Sequence, residues 1–112
     1  ELSGGFQKRV ALARSLVLKP EIMLYDEPTT GVDPVTAAAV DAMIAQMKRL
    51  TGVTSIVITH DMNSAYRIAD RVAMLHEGKI IFTGAPLELK DTQDPLLRQF
   101  IEGRAHGPIQ IQ

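Results

Sequence analysis

Residues 22–33 read IMLYDEPTTGVD, and this stretch decides the fold that the sequence predicts. The continuous apolar run from Ile22 to Tyr25 is typical of a short strand buried on both faces in a parallel sheet. Asp26 and Glu27 follow at the end of that strand. Because open α/β sheets bind ligands beyond the carboxyl ends of their strands, the two acids are candidate functional residues.

A second strand is predicted over residues 53–59, which are rich in β-branched side chains and lead to His60. Between the two strands, Asp33 and Pro34 provide the cap and first position of a long helix. This order of elements predicts parallel strands whose carboxyl ends share one edge of a sheet. We therefore expect His60 near Glu27.

Asp26 and Glu27 point in different directions because side chains alternate along a strand. This geometry predicts that Asp26 holds Mg²⁺, directly or through water, and that Glu27 faces an attacking water as general base. His60 is a candidate to bind a γ-phosphate or to orient that water. The alternatives are a solvated Asp-Glu pair in a turn and a structural histidine.

Ser3, Gly4 and Gly5 precede a helical apolar pattern over about residues 6–19. A hydroxyl, backbone N–H groups and the positive end of a helix dipole together suit an anion, most naturally a phosphate. The alternative is an ordinary serine cap with glycines in a turn. The chain begins at Glu1 rather than methionine, so we expect further sequence upstream.

The second half of the sequence predicts an antiparallel margin. Residues 71–75 and 79–83 flank a turn at Gly78 and are typical of a hairpin. Short helices are predicted from Pro86 and over residues 95–102, and an extended tail follows them.

The composition is that of an ordinary globular protein. The 112 residues are 46% hydrophobic and 22% charged, and the net charge of −1 gives no general attraction to nucleic acid. The absence of cysteine excludes disulfides and thiolate metal sites. The sequence contains no apolar run long enough to span a bilayer, so we expect a cytoplasmic location.

The order and spacing of LSGG, IMLYDEPTTGVD and VITHD resemble the carboxyl-terminal half of an ABC-type ATPase domain. The resemblance implies an α/β fold of the P-loop NTPase type, with a parallel sheet, flanking helices, a terminal hairpin and short carboxyl-terminal helices. It assigns residues 1–90 to the ATPase domain and residues 91–112 to a helix and extended tail. The closing DPLLRQFIEGRAHGP resembles the ATPases of Mla and Mce type phospholipid transporters.

The resemblance implies that Ser3, Gly4 and Gly5 form the signature motif, which contacts ATP held by the facing subunit. Phe6 stands where the family usually has Gln, with Gln7 following, so we carry no role over to Phe6.

The same resemblance implies that Asp26 belongs to the Walker B strand and binds Mg²⁺, and that Glu27 is the catalytic glutamate. His60 matches the switch histidine, and Asp33 matches the D-loop at the dimer interface. ATP and Mg²⁺ are the implied cofactors.

The implied partners are a second ATPase domain in a head-to-tail dimer and an integral-membrane permease. An accessory protein is a further expected partner, at the tail, and no nucleic acid is expected. The protein would then lie on the cytoplasmic face of the inner membrane. The sequence contains no G-x-x-x-x-G-K-[ST] loop, so we expect the chain alone not to hydrolyse ATP.

Two alternatives remain open at this point. One is a soluble ABC ATPase of DNA repair or translation, although such proteins commonly carry long insertions or a second cassette. The other is a non-catalytic truncated remnant or assembly module.

Overall fold

A computed structural model describes residues 4–110, without the side chains of residues 4–6, 8 and 9. The chain divides into two compact units, one up to Ile68 and one from Ala69. The predicted boundary after residue 90 falls inside the second unit.

The first unit has the predicted order of strands and helices as far as its second strand, and a short helix follows. Its elements are α1 (Gly4–Val17), β1 (Ile22–Asp26), α2 (Pro34–Thr51), β2 (Thr54–Ile58) and α3 (Met62–Ile68). β1 and β2 pair in parallel, with Ile22 opposite Thr54 and Asp26 opposite Ile58. The predicted α/β class with a parallel sheet is therefore confirmed.

Helix α2 has the boundaries that its capping residues predict. The Asp33 carboxylate accepts a hydrogen bond from the Thr36 backbone N–H at 2.9 Å, and Pro34 occupies the first turn. At the other end, Gly52 adopts a left-handed conformation (φ 69°), and its N–H donates to the Lys48 carbonyl. These two ends fix where the chain leaves β1 and enters β2.

The core of the first unit lies on one face of the two-stranded sheet. Buried Leu12, Met23 and Val53 form its centre. Partly buried side chains from α1, β1 and α2 pack around them: Leu16, Tyr25, Met43 and Met47. Both long helices therefore cover the same side of the sheet.

The opposite face of the sheet is exposed, so the prediction of strands buried on both faces is wrong for this chain. Ile22 and Leu24 of β1 are 58% and 73% exposed, and Ile56 and Ile58 of β2 are 48% and 59% exposed. Their apolar side chains are typical of strands that are buried on both faces, but no residue that the structure describes buries this face. We call these four residues the open sheet face.

The second unit contains the predicted hairpin and short helices. Its elements are β3 (Val72–His76), β4 (Lys79–Gly84), α4 (Pro86–Lys90) and α5 (Pro95–Glu102). β3 and β4 pair antiparallel. The turn between them places both Glu77 (φ 49°) and Gly78 (φ 77°) in the left-handed region, which suits a tight hairpin.

The segment after α5, predicted as an extended tail, has no helix or strand up to residue 110, and its backbone is hydrogen-bonded to α5. The buried Gln99 side chain donates to the carbonyls of Arg104 (3.2 Å) and Ile109 (2.8 Å). Its amide oxygen accepts the Ile109 N–H. One side chain therefore satisfies backbone groups that an extended tail would leave to water.

Candidate active site

Glu27 and His60 meet at the carboxyl edge of the sheet, as the order of elements predicts. Each follows the last residues of one of the two paired parallel strands. His60 Nδ1 lies 3.0 Å from Glu27 Oε1. Because a carboxylate oxygen only accepts, the imidazole donates this hydrogen bond from Nδ1.

The backbone at Glu27 turns sharply out of β1. Glu27 has a φ of 49°, which is uncommon for a residue with a Cβ. Its N–H donates to the Ile58 carbonyl at 2.7 Å, which extends the β1–β2 pairing by one bond. The Thr30 hydroxyl donates to Glu27 Oε2 at 3.2 Å. Both carboxylate oxygens thus accept a hydrogen bond inside the chain.

The contact shifts the ionisation of both partners in a complementary way. The hydrogen bond from His60 is the main reason that the pKa of Glu27 falls below its ordinary value. The hydrogen bond to Glu27, followed by its negative charge, raises the pKa of His60. The site therefore favours a carboxylate beside a protonated imidazole.

Asp26 ends β1 on the same face as Leu24, and its side chain is exposed. Within the part of the chain that the structure describes, no three His, Cys, Asp or Glu side chains gather as a metal site. Mg²⁺ commonly uses only one or two carboxylates and takes its other ligands from water and phosphate. A single exposed carboxylate at a strand end fits that requirement.

The amino-terminal motif is only partly described. Ser3 lies outside the described residues. Gly4 and Gly5 form the first turn of α1, so the prediction that they precede the helix in a turn is wrong. Their assignment to the ATP of a facing subunit stays a prediction.

Asp33 has a structural contact that its predicted interface role did not include. Its carboxylate accepts from both the N–H and the hydroxyl of Thr36, at 2.9 and 2.7 Å. These bonds, that from the N–H first, lower the pKa of Asp33. Asp33 is therefore the amino-terminal cap of α2, and its place in the D-loop at a dimer interface stays a prediction.

Sequence reasoning missed two residues beside the central pair. Thr30 contacts Glu27, and Asp61 accepts the N–H groups of Asn63 and Ser64 at the start of α3. The signal for Asp61 was present, because an Asp just before a helix is a common cap. The Thr30 contact depends on the left-handed turn at Glu27, which the pattern of residue types does not reveal.

Comparison with known proteins finds similarity to ATP-binding proteins of ABC transporters. The sequence profile described as "ABC transporter" matches residues 1–30. The intermembrane phospholipid transport system ATP-binding protein MlaF of Escherichia coli K12 is 39% identical over 109 residues, which are 97% of this chain and 40% of MlaF. The probable ribonucleotide transport ATP-binding protein mkl of Mycobacterium leprae is also 39% identical, over 97% of this chain and 31% of its own length.

A solved structure shows the same fold. It is cbiO1 of Clostridium perfringens, part of the ABC transporter complex cbiONQ, with a TM-score of 0.76 and 37% identity. The match covers 80% of this chain and 36% of cbiO1. The chain thus spans about 40% or less of the length of these relatives. Within the described ranges we find no helix with the length and hydropathy of a membrane span.

Proposed function

Because this chain belongs to the family of ABC transporter ATPase domains, we propose that it is the carboxyl-terminal part of a subunit that hydrolyses ATP to power a transporter. The observation that carries the proposal is the 3.0 Å contact between Glu27 and His60 at the carboxyl edge of the parallel sheet. Ligands of open α/β sheets bind at this edge.

Glu27 acts as the general base in the proposed reaction. Its lowered pKa keeps it ionised, so it can accept a proton from the water that attacks the γ-phosphate. The carboxylate oxygens already accept from His60 and Thr30, so the attacking water replaces one of these contacts. His60 then offers a ring N–H group to the phosphate, and its raised pKa favours the protonated imidazole.

Asp26 is the proposed Mg²⁺ ligand, directly or through water. When bound, Mg²⁺ neutralises charge on the phosphate oxygens. The exposed carboxylate stands one residue before Glu27, so the metal and the base are held by the same strand end. Asp26 lies on the open face of β1, whereas the left-handed turn places the Glu27 carboxylate against His60, so the two carboxylates do not compete for one ligand.

The open sheet face supports the proposal that this chain is part of a larger ATPase domain. The Leu24 side chain is 73% exposed. Such exposure is unusual in a parallel sheet, because both faces of parallel sheets are normally covered. We propose that the remaining part of the domain covers this face. That part also supplies the glycine-rich phosphate loop and its lysine.

The proposed assembly is a head-to-tail dimer in which Ser3, Gly4 and Gly5 contact the nucleotide of the facing subunit. Asp33 lies at that interface while it caps α2. ATP closes the dimer and hydrolysis reopens it, and this motion drives an integral-membrane permease. The subunit accordingly lies against the cytoplasmic face of the membrane.

Phospholipid is the proposed cargo. The support is the similarity to MlaF over almost the whole chain, including the segment after residue 90. The mkl relative is named for ribonucleotide transport at equal identity, so cargo needs its own measurement. Transfer of labelled phospholipid by the reconstituted transporter would support the proposal, whereas ATP-dependent movement of nucleotides alone would contradict it.

Replacement of Glu27 tests the proposed reaction. In the full-length protein, Glu27→Gln should lower kcat for ATP hydrolysis by about 10²- to 10⁴-fold, the usual contribution of a general base. ATP binding should persist. The matched control is Glu21→Gln, an exposed acid just before β1, which should keep normal hydrolysis. Hydrolysis at the normal rate by Glu27→Gln would refute the assignment.

A further inference from the structure

A second polar cluster lies next to the Glu27–His60 pair, and the proposed reaction does not use it. It consists of two hydroxyls, two carboxylates and a guanidinium, and we call it the hydroxyl–carboxylate cluster: Thr29, Asp41, Asp61, Ser64 and Arg67. Thr29, Asp41 and Ser64 are 7%, 1% and 1% exposed. Burial of polar side chains costs free energy unless they are hydrogen-bonded or paired, so the contacts within this cluster matter to the fold.

The exposed pair needs support from elsewhere in the chain. The His60 side chain is 75% exposed and the Glu27 side chain is 33% exposed. An ion pair in solvent gains little free energy and does not by itself hold two side chains in one geometry. The 3.0 Å distance must therefore be set by the backbone of the two loops that follow β1 and β2.

Asp61 connects those two loops. It follows His60 directly, and its Oδ1 accepts the N–H groups of Asn63 and Ser64 at 3.0 and 3.2 Å. Its Oδ2 lies 3.4 Å from the Thr29 hydroxyl, which belongs to the loop that carries Glu27. Thr29 lies two residues after the base, and Asp61 lies one residue after the imidazole.

Asp41 anchors this connection to α2. Its Oδ2 accepts from the Ser64 hydroxyl at 2.8 Å and from Arg67 at 2.9 Å. The Ser64 oxygen also lies 3.2 Å from Asp61 Oδ2, so one hydroxyl contacts the carboxylates of both α2 and the His60 loop. The other Asp41 oxygen has no hydrogen-bond partner among the described residues.

This arrangement is poorly suited to stability alone. Burial is the main influence that raises the pKa of Asp41, and Ser64 and Arg67 oppose it. Apolar side chains of similar volume often stabilise a protein as well as a buried ion pair does. What hydrogen bonds within a buried polar cluster add is a fixed relative position of the elements that they join.

We propose that the hydroxyls of Thr29 and Ser64, acting through Asp61 and anchored by Asp41, set the distance between Glu27 and His60. These four are positioning residues, because none of them contacts the reacting atoms. The effect on catalysis rests on the proposed function, whereas the effect on the Glu27–His60 distance does not.

The His60 Nδ1 chemical shift reports the hydrogen bond to Glu27, and therefore the contact that the cluster is proposed to set, without reference to activity. In full-length protein labelled with ¹⁵N-histidine, Glu27→Gln provides the reference for a weakened bond. Thr29→Val keeps the shape of the side chain but removes its hydroxyl, and Ser64→Ala removes the other. Both should move the Nδ1 shift toward the Glu27→Gln reference, while Thr29→Ser should keep the normal shift.

The exposed Ser15, whose hydroxyl donates to the Ala11 carbonyl within α1, provides the control variant Ser15→Ala, which should leave the shift unchanged. If Thr29→Val and Ser64→Ala both keep the normal shift, the cluster does not set the distance. Should Thr29→Val fail to fold, Ser64→Ala decides the question with the same measurement.

Hydrolysis kinetics test the consequence for catalysis. Loss of one hydroxyl contact should lower kcat about tenfold with little change in KM for ATP, and Thr29→Ser should restore it. In a His60→Ala background, Thr29→Val should have almost no further effect, because positioning acts through His60. An undiminished effect in that background would overturn the proposal.

The two proposals can fail separately. If Glu27→Gln hydrolyses ATP normally but the His60 shift still responds to Thr29→Val, the proposed function fails and the positioning role stands. If Glu27→Gln abolishes hydrolysis and the shift is unresponsive, only the positioning role fails.

Discussion

At the scale of single residues, the chemistry of the site depends on the left-handed turn at Glu27. The turn directs the carboxylate away from the line of β1 and toward the loop after β2. A non-glycine residue in this region costs about 1 kcal/mol or more, so the surrounding structure must hold it. The bond from the Glu27 N–H to Ile58 is one such restraint.

The ionisation of His60 can be predicted from this contact. Its pKa should lie above the ordinary 6.5 because Glu27, and to a lesser extent Asp61, stabilise the charged imidazole. Glu27→Gln should lower the His60 pKa, as measured by NMR titration. Glu21→Gln, the distant control, should not. An equal His60 pKa in the normal protein and in Glu27→Gln would contradict the contact.

The same contact predicts how stability depends on pH. The raised pKa of His60 contributes stability fully below about pH 6.5, and this is lost as the pH rises through the folded-state pKa. The lowered pKa of Glu27 contributes stability above about pH 4.5, and this stability is lost as the pH falls through the folded-state pKa of Glu27. The pair therefore stabilises the folded state most between about pH 4.5 and about pH 6.5.

Sequence reasoning reached the Glu27–His60 pair because it needed only strand ends and parallel pairing. It did not reach the contacts of Thr29 and Thr30, because these depend on how the chain turns after β1. The positive φ of Glu27 has no signature in residue type. A pattern of residue types does not reveal contacts between loops when the path of the backbone determines them.

At the scale of elements, α2 and α3 are joined by the buried Asp41 and the partly exposed Arg67. Their 2.9 Å contact leaves 39% of the Arg67 side chain in solvent. Asp41 lies in the middle of α2, whose start the sequence predicted correctly from Asp33 and Pro34. The role of an acid inside that helix was not predicted, since its partners lie on a different element.

Removal of the guanidinium should destabilise the fold. Arg67→Met leaves the Asp41 carboxylate buried without its cation and should lower the free energy of unfolding by about 2 kcal/mol, less than for a fully buried pair because Arg67 is partly solvated. The control is Arg49→Met on the exposed side of α2, which should change it by less than about 0.5 kcal/mol. Equal effects in chemical denaturation would contradict this role.

At the scale of the whole molecule, the open sheet face is the place where the observed structure differs from the prediction. Ile22, Leu24, Ile56 and Ile58 have the composition of strands covered on both sides, and only one side is covered. The prediction of burial on both faces is wrong for this chain. Burial of the face by a further part of the domain stays a proposal.

A charge on this face tests that prediction. In the full-length protein, Leu24→Lys should lower the free energy of unfolding by about 3 kcal/mol, because a buried leucine is lost and a charge is desolvated. Val35→Lys is the control, since Val35 is 80% exposed but lies at the start of α2 rather than on the sheet. Equal stability of both variants would show that the face stays open.

The central claim is that Glu27 and His60 act together in ATP hydrolysis, and a double-mutant cycle tests it most directly. Single-turnover hydrolysis would be measured for full-length Glu27→Gln, His60→Ala and the double variant. We predict that each single variant is severely slowed and that the double variant is little slower than Glu27→Gln, because the two residues act as a unit. Independent, multiplying effects, or normal rates for either single variant, would contradict the account.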